Sequence, residues 1–326
     1  MKKFFSVFLI LLVLLCSIGT FFPSKALSST ISVSTIDDVY DIIASDCLNF
    51  KREVNYTTSI NLKNFNYTKL RDTVIQKNPL IGGSLYSITG SIKQEKQNEY
   101  SIKLFFRYYM NASEYKKVCK ISDDIAKEMQ GYTDYEKIKT THDYLINNCN
   151  YQVGSDGPYN ALFKRKSNCN GYALSFLSIM QSCGIECTYE TGDNHAWNSV
   201  KLDGEWYNVD VTWDDSGVWD KEGGILYDNF LKNDSAWGKH HHGNSTAKQS
   251  YPADLTIDKP IKNIAQQYRI ILFSIIGIGT IVIIFSLVIT TKIKQKKKKK
   301  LFELYNNTTN ITNFNYQNDN NHIINY

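Results

Sequence analysis

The chain has 326 residues and a formal charge of +5. Residues 1–26 hold three lysines, and residues 261–326 hold nine basic residues against Glu303 and Asp319, which leaves 27–260 at −5. A basic excess confined to the two ends reports membrane insertion and lipid contact, and it argues against nucleic acid as a partner.

Residues 1–26 have the form of a signal peptide. Lys2 and Lys3 precede an apolar run from Phe4 to Phe22, and Ser24-Lys25-Ala26 offers small residues for cleavage. An uncleaved anchor is the other reading, while a lipoprotein site at Cys16 is disfavoured by the bulky Leu15 before it. Residues 27–130 follow as an N-terminal region of mixed helix and strand. Its spacing predicts a helix over 35–47, with Val39, Ile42 and Ile43 on one face, and a weaker one over 67–76, closed by Asn78-Pro79. Residues 85–92 and 100–110 alternate apolar and polar residues and predict an antiparallel hairpin. Helices are expected over 113–130 and 134–148. His142 on the second is expected to be a hydrogen-bonded structural histidine rather than a catalytic one.

The chemistry lies in residues 131–255, where three residues stand in informative settings. They are Cys169 in Ser167-Asn168-Cys169-Asn170-Gly171-Tyr172-Ala173, His195 in Asn194-His195-Ala196-Trp197-Asn198, and Asp210 in Trp206-Tyr207-Asn208-Val209-Asp210-Val211-Thr212-Trp213-Asp214. Thiol nucleophile, imidazole base and orienting carboxylate are the parts of an acyl-transfer triad. A helix is expected from Cys169 to Cys183, with Ser167 or Asn168 as N-cap and Gly184 as its end. A thiol in the first turn feels the positive end of the helix dipole, which favours thiolate, and its N–H is free to donate to an oxyanion.

Residues 185–191 predict a strand. Residues 196–202 and 205–212 predict two more, joined by the tight turn Asp203-Gly204. That turn sets a register in which Trp197 faces Asp210 and His195 is the diagonal neighbour of Asp210, within side-chain reach. Ala196, Val200, Leu202, Tyr207, Val209 and Val211 then share the other, apolar face. Tyr159 and Asn160 are candidates for a second oxyanion donor. Trp197, Trp206 and Trp213 are expected in aromatic core packing, with the lining of an acyl cleft as the alternative.

Residues 256–269 predict a linker and residues 270–291 a transmembrane helix, since 270–290 carries no charge and is long enough for a bilayer core. Lys292, Lys294 and Lys296 to Lys300 open a basic, Asn-rich tail over 292–326, which predicts a cytoplasmic C-terminus and an extracytoplasmic N-terminal domain. No Leu-Pro-x-Thr-Gly sorting motif precedes the span. Six cysteines fall in the domain: Cys47, Cys119, Cys149, Cys169, Cys183 and Cys187. If Cys169 is a free nucleophile the other five cannot all pair, and buried thiols and disulfides both remain open. Asn55, Asn66, Asn111 and Asn244 head glycosylation sequons.

Residues from about Tyr135 to Asp254 resemble the bacterial transglutaminase-like superfamily. The runs that carry the resemblance are His142-Asp143-Tyr144-Leu145, Cys169-Asn170-Gly171-Tyr172-Ala173, His195-Ala196-Trp197-Asn198 and the segment Trp206 to Asp215. The resemblance implies an α+β, papain-like core in which a Cys-bearing helix packs on an antiparallel sheet carrying His and Asp. It maps nucleophile, base and acid onto Cys169, His195 and Asp210. It implies a membrane-anchored cysteine enzyme, protease or transamidase, acting through a thioester on amide bonds of surface proteins or wall peptides, with no cofactor and no metal. A catalytically silent binding module of the same fold is the alternative. A metal site built on His240, His241 and His242 is disfavoured, because three adjacent histidines cannot all point one way on regular structure.

Overall fold

The computed structural model describes residues 29–218, 224–237, 245–261 and 277–297. The expected signal peptide, Cys16, the histidines at 240–242, Asn244 and the tail beyond 297 lie outside the described residues.

In the N-terminal region, β1 (Ser29–Ile31), β2 (Glu53–Thr58), β3 (Leu85–Lys96) and β4 (Glu99–Tyr108) form one sheet in the order β1-β2-β4-β3. The predicted hairpin is β3 with β4, antiparallel and tightly in register from Ser87↔Arg107 to Gln94↔Tyr100. Helix α1 (Ile36–Leu48) starts at a reciprocal cap between Thr35 and Asp38, and α2 (Tyr67–Lys77) starts at Asn66. Val39, Ile43, Leu70 and Val74 from these helices meet Ile102, Leu104 and Phe106 of β4, all nearly or wholly buried. Alternate residues of β4 face the other way, so Lys103, Phe105 and Arg107 are exposed. The short helix α3 (Pro79–Ser84) and strand β2 carry weak or brief patterns and were not expected from the sequence.

Helices α4 (Ala112–Glu128) and α5 (Asp134–Asn148) fall where the spacing places them. Short strands β5 (Asn150–Tyr151) and β6 (Lys166–Ser167) flank a π-helical turn at Asn160–Lys164, and α6 (Cys169–Ser182) follows. Tyr172, Leu174, Phe176, Leu177, Ile179 and Met180 of α6 have no exposed surface. Burial on every side makes α6 the central helix of its half. It packs on β7 (Cys187–Gly192) and β8 (His195–Leu202), which with β9 (Glu205–Val209) form an antiparallel sheet in the order β7-β8-β9. The fold class is thus α+β, as expected, with the Cys-bearing helix against the sheet.

The β8–β9 register runs from Asn198↔Val209 to Leu202↔Glu205, as the Asp203-Gly204 turn requires. Strand β9 ends at Val209, three residues short of the expectation, because Asp210 turns the chain to cap Thr212 and Trp213. A second tight turn joins β7 to β8: Gly192 pairs with His195, and Asp193 and Asn194 both take positive φ, 50° and 62°. The residues described up to 261 cluster as one unit. Helix α7 (Gly277–Lys297) belongs to another and is the one described helix long and apolar enough to cross a membrane; residues 270–276 of the expected span lie outside the described residues.

Candidate active site

Cys169 is the first residue of α6 and is partly exposed. Asn168 holds the N-cap position but not by a side-chain cap. Its Nδ2 donates to Asp156 Oδ1 (2.5 Å) and its N–H to Ser155 O (2.8 Å), so the loop at 155–157 fixes the residue before the thiol. Gly171 leaves room for this arrangement. A Cβ there would lie 1.9 Å from Ser167 Oγ and 2.7 Å from Gly157 O. Asn170 Nδ2 donates to Tyr189 Oη at 2.8 Å, which ties the first turn of α6 to β7.

His195 opens β8 directly after the Asp193-Asn194 turn. Its Nε2 lies 2.6 Å from Asp210 Oδ2, with the imidazole 14% exposed and the carboxylate fully buried. Asp210 Oδ1 accepts the N–H groups of Thr212 and Trp213, each at 3.0 Å, so both carboxylate oxygens are occupied. With Nε2 on Asp210, Nδ1 is the nitrogen left for the thiol. Burial disfavours the imidazolium, but hydrogen bonds to Asp210 and then to Cys169 outweigh it and raise the His195 pKa to about 9. The ring lies between Trp197 and Trp213, at centroid distances of 6.1 and 5.4 Å. Trp206 stands apart from this pair, under the ammonium of Lys201.

Tyr109, Tyr151 and Tyr189 surround Cys169. Burial raises the pKa of all three. The expected oxyanion candidates are engaged in other contacts: Tyr159 stacks on Phe163, and Asn160 Nδ2 donates to Asp156 O at 2.8 Å. All six cysteines among the described residues are free thiols. Burial pushes Cys47 and Cys149 up to about 12 and Cys183 up to about 11.

His142 is fully buried behind the site. Its Nδ1 meets Asp143 Oδ1 at 2.9 Å and its Nε2 meets Asp214 Oδ2 at 3.2 Å. Burial opposes its charge, but the two carboxylates prevail and raise its pKa. Lys139 bonds Asp143 at 2.7 Å, Asn229 bonds Asp214 through backbone and side chain, and the Asp214 N–H donates to Asp210 O at 3.2 Å. The histidine thus has the structural bonds expected, and they run to the turn that carries Asp210. Sequence reasoning placed no function on Asp143, Asp156, Tyr189 or Asp214; Asp143 and Asp214 fall within the runs that carry the resemblance, while Asp156 and Tyr189 carry no local signal.

Residues 121–211 match the model of the transglutaminase-like superfamily, a stretch that takes in Cys169, His195 and Asp210. The chain is 27% identical over 117 residues to the Kyphoscoliosis peptidase of Homo sapiens, covering 28% of this chain and 18% of that protein. Among solved structures, a candidate cysteine protease from Cytophaga hutchinsonii is 18% identical (TM-score 0.26, 35% of this chain and 52% of that one). A second, a TGase, is 16% identical (TM-score 0.26, 49% and 51%). The match spans less than a fifth of the human relative's length and about half of each solved chain.

Proposed function

We propose that this chain, through the transglutaminase-like domain over residues 121–211, is a cysteine enzyme that acts on amide bonds, with Cys169 as nucleophile, His195 as base and acid, and Asp210 as the group that orients His195. The observation that carries the reading is the placement of His195, with Nε2 on a buried carboxylate and the thiol of Cys169 as its other hydrogen-bond partner. His195 takes the thiol proton and the thiolate sulfur bonds to the amide carbon. The backbone N–H of Cys169 at the start of α6 is available to the oxyanion. The C–N bond breaks, the amine leaves with the proton held by His195, and a thioester remains on Cys169. Water or an amine then attacks the thioester, and the thiol is restored.

In this proposal residues 27–130 form an N-terminal region, 131–255 the catalytic core and 256–269 a linker. Helix α7 anchors the enzyme in the cell membrane with the core outside and residues 292–326 inside. Surface proteins and wall peptides are the substrates within reach of such an anchor. Protease and transamidase share the first half-reaction and differ only in the acceptor.

Brief exposure of the full chain in detergent to iodoacetamide near pH 6, followed by mass spectrometry, tests the reading. The expected result is one fast adduct at Cys169 that disappears in His195→Ala. The thiols that burial raises to 11 or above make a poor background at that pH. Slow, uniform labelling of all accessible cysteines would replace the enzyme reading with a catalytically silent binding module.

A further inference from the structure

A groove of about 920 Å³ opens on the outer face of the N-terminal sheet, bounded by β3, β4 and the start of α4. A second hollow of about 520 Å³ shares Tyr86, Tyr108 and Tyr109 with it and extends to Gly154, Asp156 and Asn160. The two adjoin, and the second reaches the loop that holds Asn168, the residue before Cys169. Arg107 and Tyr109 lie two residues apart on the strand and its extension, about 7 Å along an extended backbone. Tyr109 packs so closely on Gly157 that a Cβ there would come within 2.9 Å of it. Asp156, next to Gly157, holds Asn168, and Asn168 precedes Cys169.

The lining has a definite chemistry. Tyr86 stacks on Tyr109 at 4.7 Å and 29°, and Tyr86 and Phe105 are 43% and 39% exposed, so flat apolar surface faces water. Arg52 and Arg107 also line the groove, both exposed, and neither guanidinium has a carboxylate partner among the described residues. The carboxylate on the wall, Glu114, accepts the Asn111 N–H in the cap of α4. Two unpaired guanidiniums beside an aromatic shelf suit a planar anion and an extended apolar stretch together. Asn49, Thr89, Asn111 and Ser113 add polar groups to the same lining, which suits the backbone of an extended ligand.

We propose that this groove seats the stretch of substrate polypeptide flanking the reactive amide, and that Arg52 and Arg107 select an acidic side chain a few residues from that amide. The inference rests on the reading of Cys169 as nucleophile. An acidic peptide is favoured over an anionic lipid because the adjoining hollow reaches the loop that holds Asn168, next to a site proposed to act on amides.

The test uses the full-length Cys169→Ala protein in detergent micelles, so that binding is measured without turnover. The probes are two fluorescein-labelled dodecapeptides with a central glutamine, one carrying a pair of glutamates four and five residues away, the other glutamines there. Fluorescence anisotropy should show the acidic probe binding about tenfold or more tightly, with the difference shrinking at high salt. Arg52→Ala with Arg107→Ala should abolish the difference, and the double lysine variant should keep part of it. Both residues are exposed, so an unchanged Tm is expected for each. Equal binding of the two probes would overturn the proposal, as would a preference that survives the double alanine variant. Displacement of the acidic probe by phosphatidylglycerol vesicles, dependent on the same arginines, would reassign the groove to lipid headgroups. Arginine-dependent binding with no acyl transfer by the Cys169 protein would retain the groove and remove the enzyme reading. Acyl transfer indifferent to the glutamates would do the reverse.

Discussion

His195 holds its proton more tightly than a free imidazole because a buried carboxylate and a thiol both face it. Its folded pKa of about 9 lies above the ordinary 6.5. The stabilisation this gives is fully present below pH 6.5 and is lost as the pH rises toward 9. The urea midpoint of the wild type should therefore fall across that interval. Asp210→Asn should flatten the fall, because it removes the charge while its Oδ1 can still accept from Thr212 and Trp213. The same variant should lower kcat by about 10²–10⁴-fold, since the imidazolium loses its partner. Full activity in Asp210→Asn would remove Asp210 from the proposed machinery.

His142 offers a contrast at the same scale. Both of its nitrogens are spent on carboxylates and none of its surface is exposed, so it is placed to hold structure rather than to meet a substrate. His142→Leu should destabilise the fold by about 3 kcal/mol or more, because Asp214 would be left buried without its cation. Thermal denaturation measures this, and a change under 1 kcal/mol would contradict the buried ion network.

Among the elements, α6 and the two tight hairpins decide where the chemistry sits. Helix α6 presents Cys169 only because residue 171 has no side chain. Gly171→Ala would push into Ser167 Oγ and the Gly157 carbonyl, so it should cost about 1–3 kcal/mol and displace the thiol. A wild-type Tm with wild-type iodoacetamide labelling in Gly171→Ala would refute that account. On the sheet, the turns Asp193-Asn194 and Asp203-Gly204 lock β8 at both ends, so His195 cannot slip relative to Asp210 without turning the apolar face of β8 to water. The hairpin at 203–204 was legible because Asp-Gly is a strong turn signal. The one at 193–194 was not, because Asp-Asn reaches positive φ less readily and reads as loop.

For the molecule as a whole, the proposed catalytic core followed by an apolar helix would set the enzyme to work against a membrane surface. The full chain should stay in the membrane pellet after alkaline carbonate extraction, and protease added to intact cells should digest residues 27–260. Release by carbonate would contradict the anchor drawn on α7. Fixed on such an anchor, the core would meet its substrates by lateral encounter, so the groove at Arg52 and Arg107 would contribute more to choice of substrate than to recruitment.

The sequence by itself determined the elements whose patterns are local: the capped helices α1, α4 and α5, the β3–β4 and β8–β9 hairpins, an apolar C-terminal helix, and the approach of His195 to Asp210. Helical spacing, turn residues and strand alternation are set by neighbours within a few positions, so they can be seen in the chain. Tertiary structure decided the rest. Asn168 forgoes its own cap to bind Asp156, Asp210 leaves the strand to cap a turn, and His142 sits between Asp143 and Asp214 because buried polar groups must find partners wherever packing brings them. The approach of Tyr109 to Gly157, in the loop before Cys169, joins residues about fifty positions apart. Such contacts follow from how whole layers pack, and no short stretch of sequence encodes them.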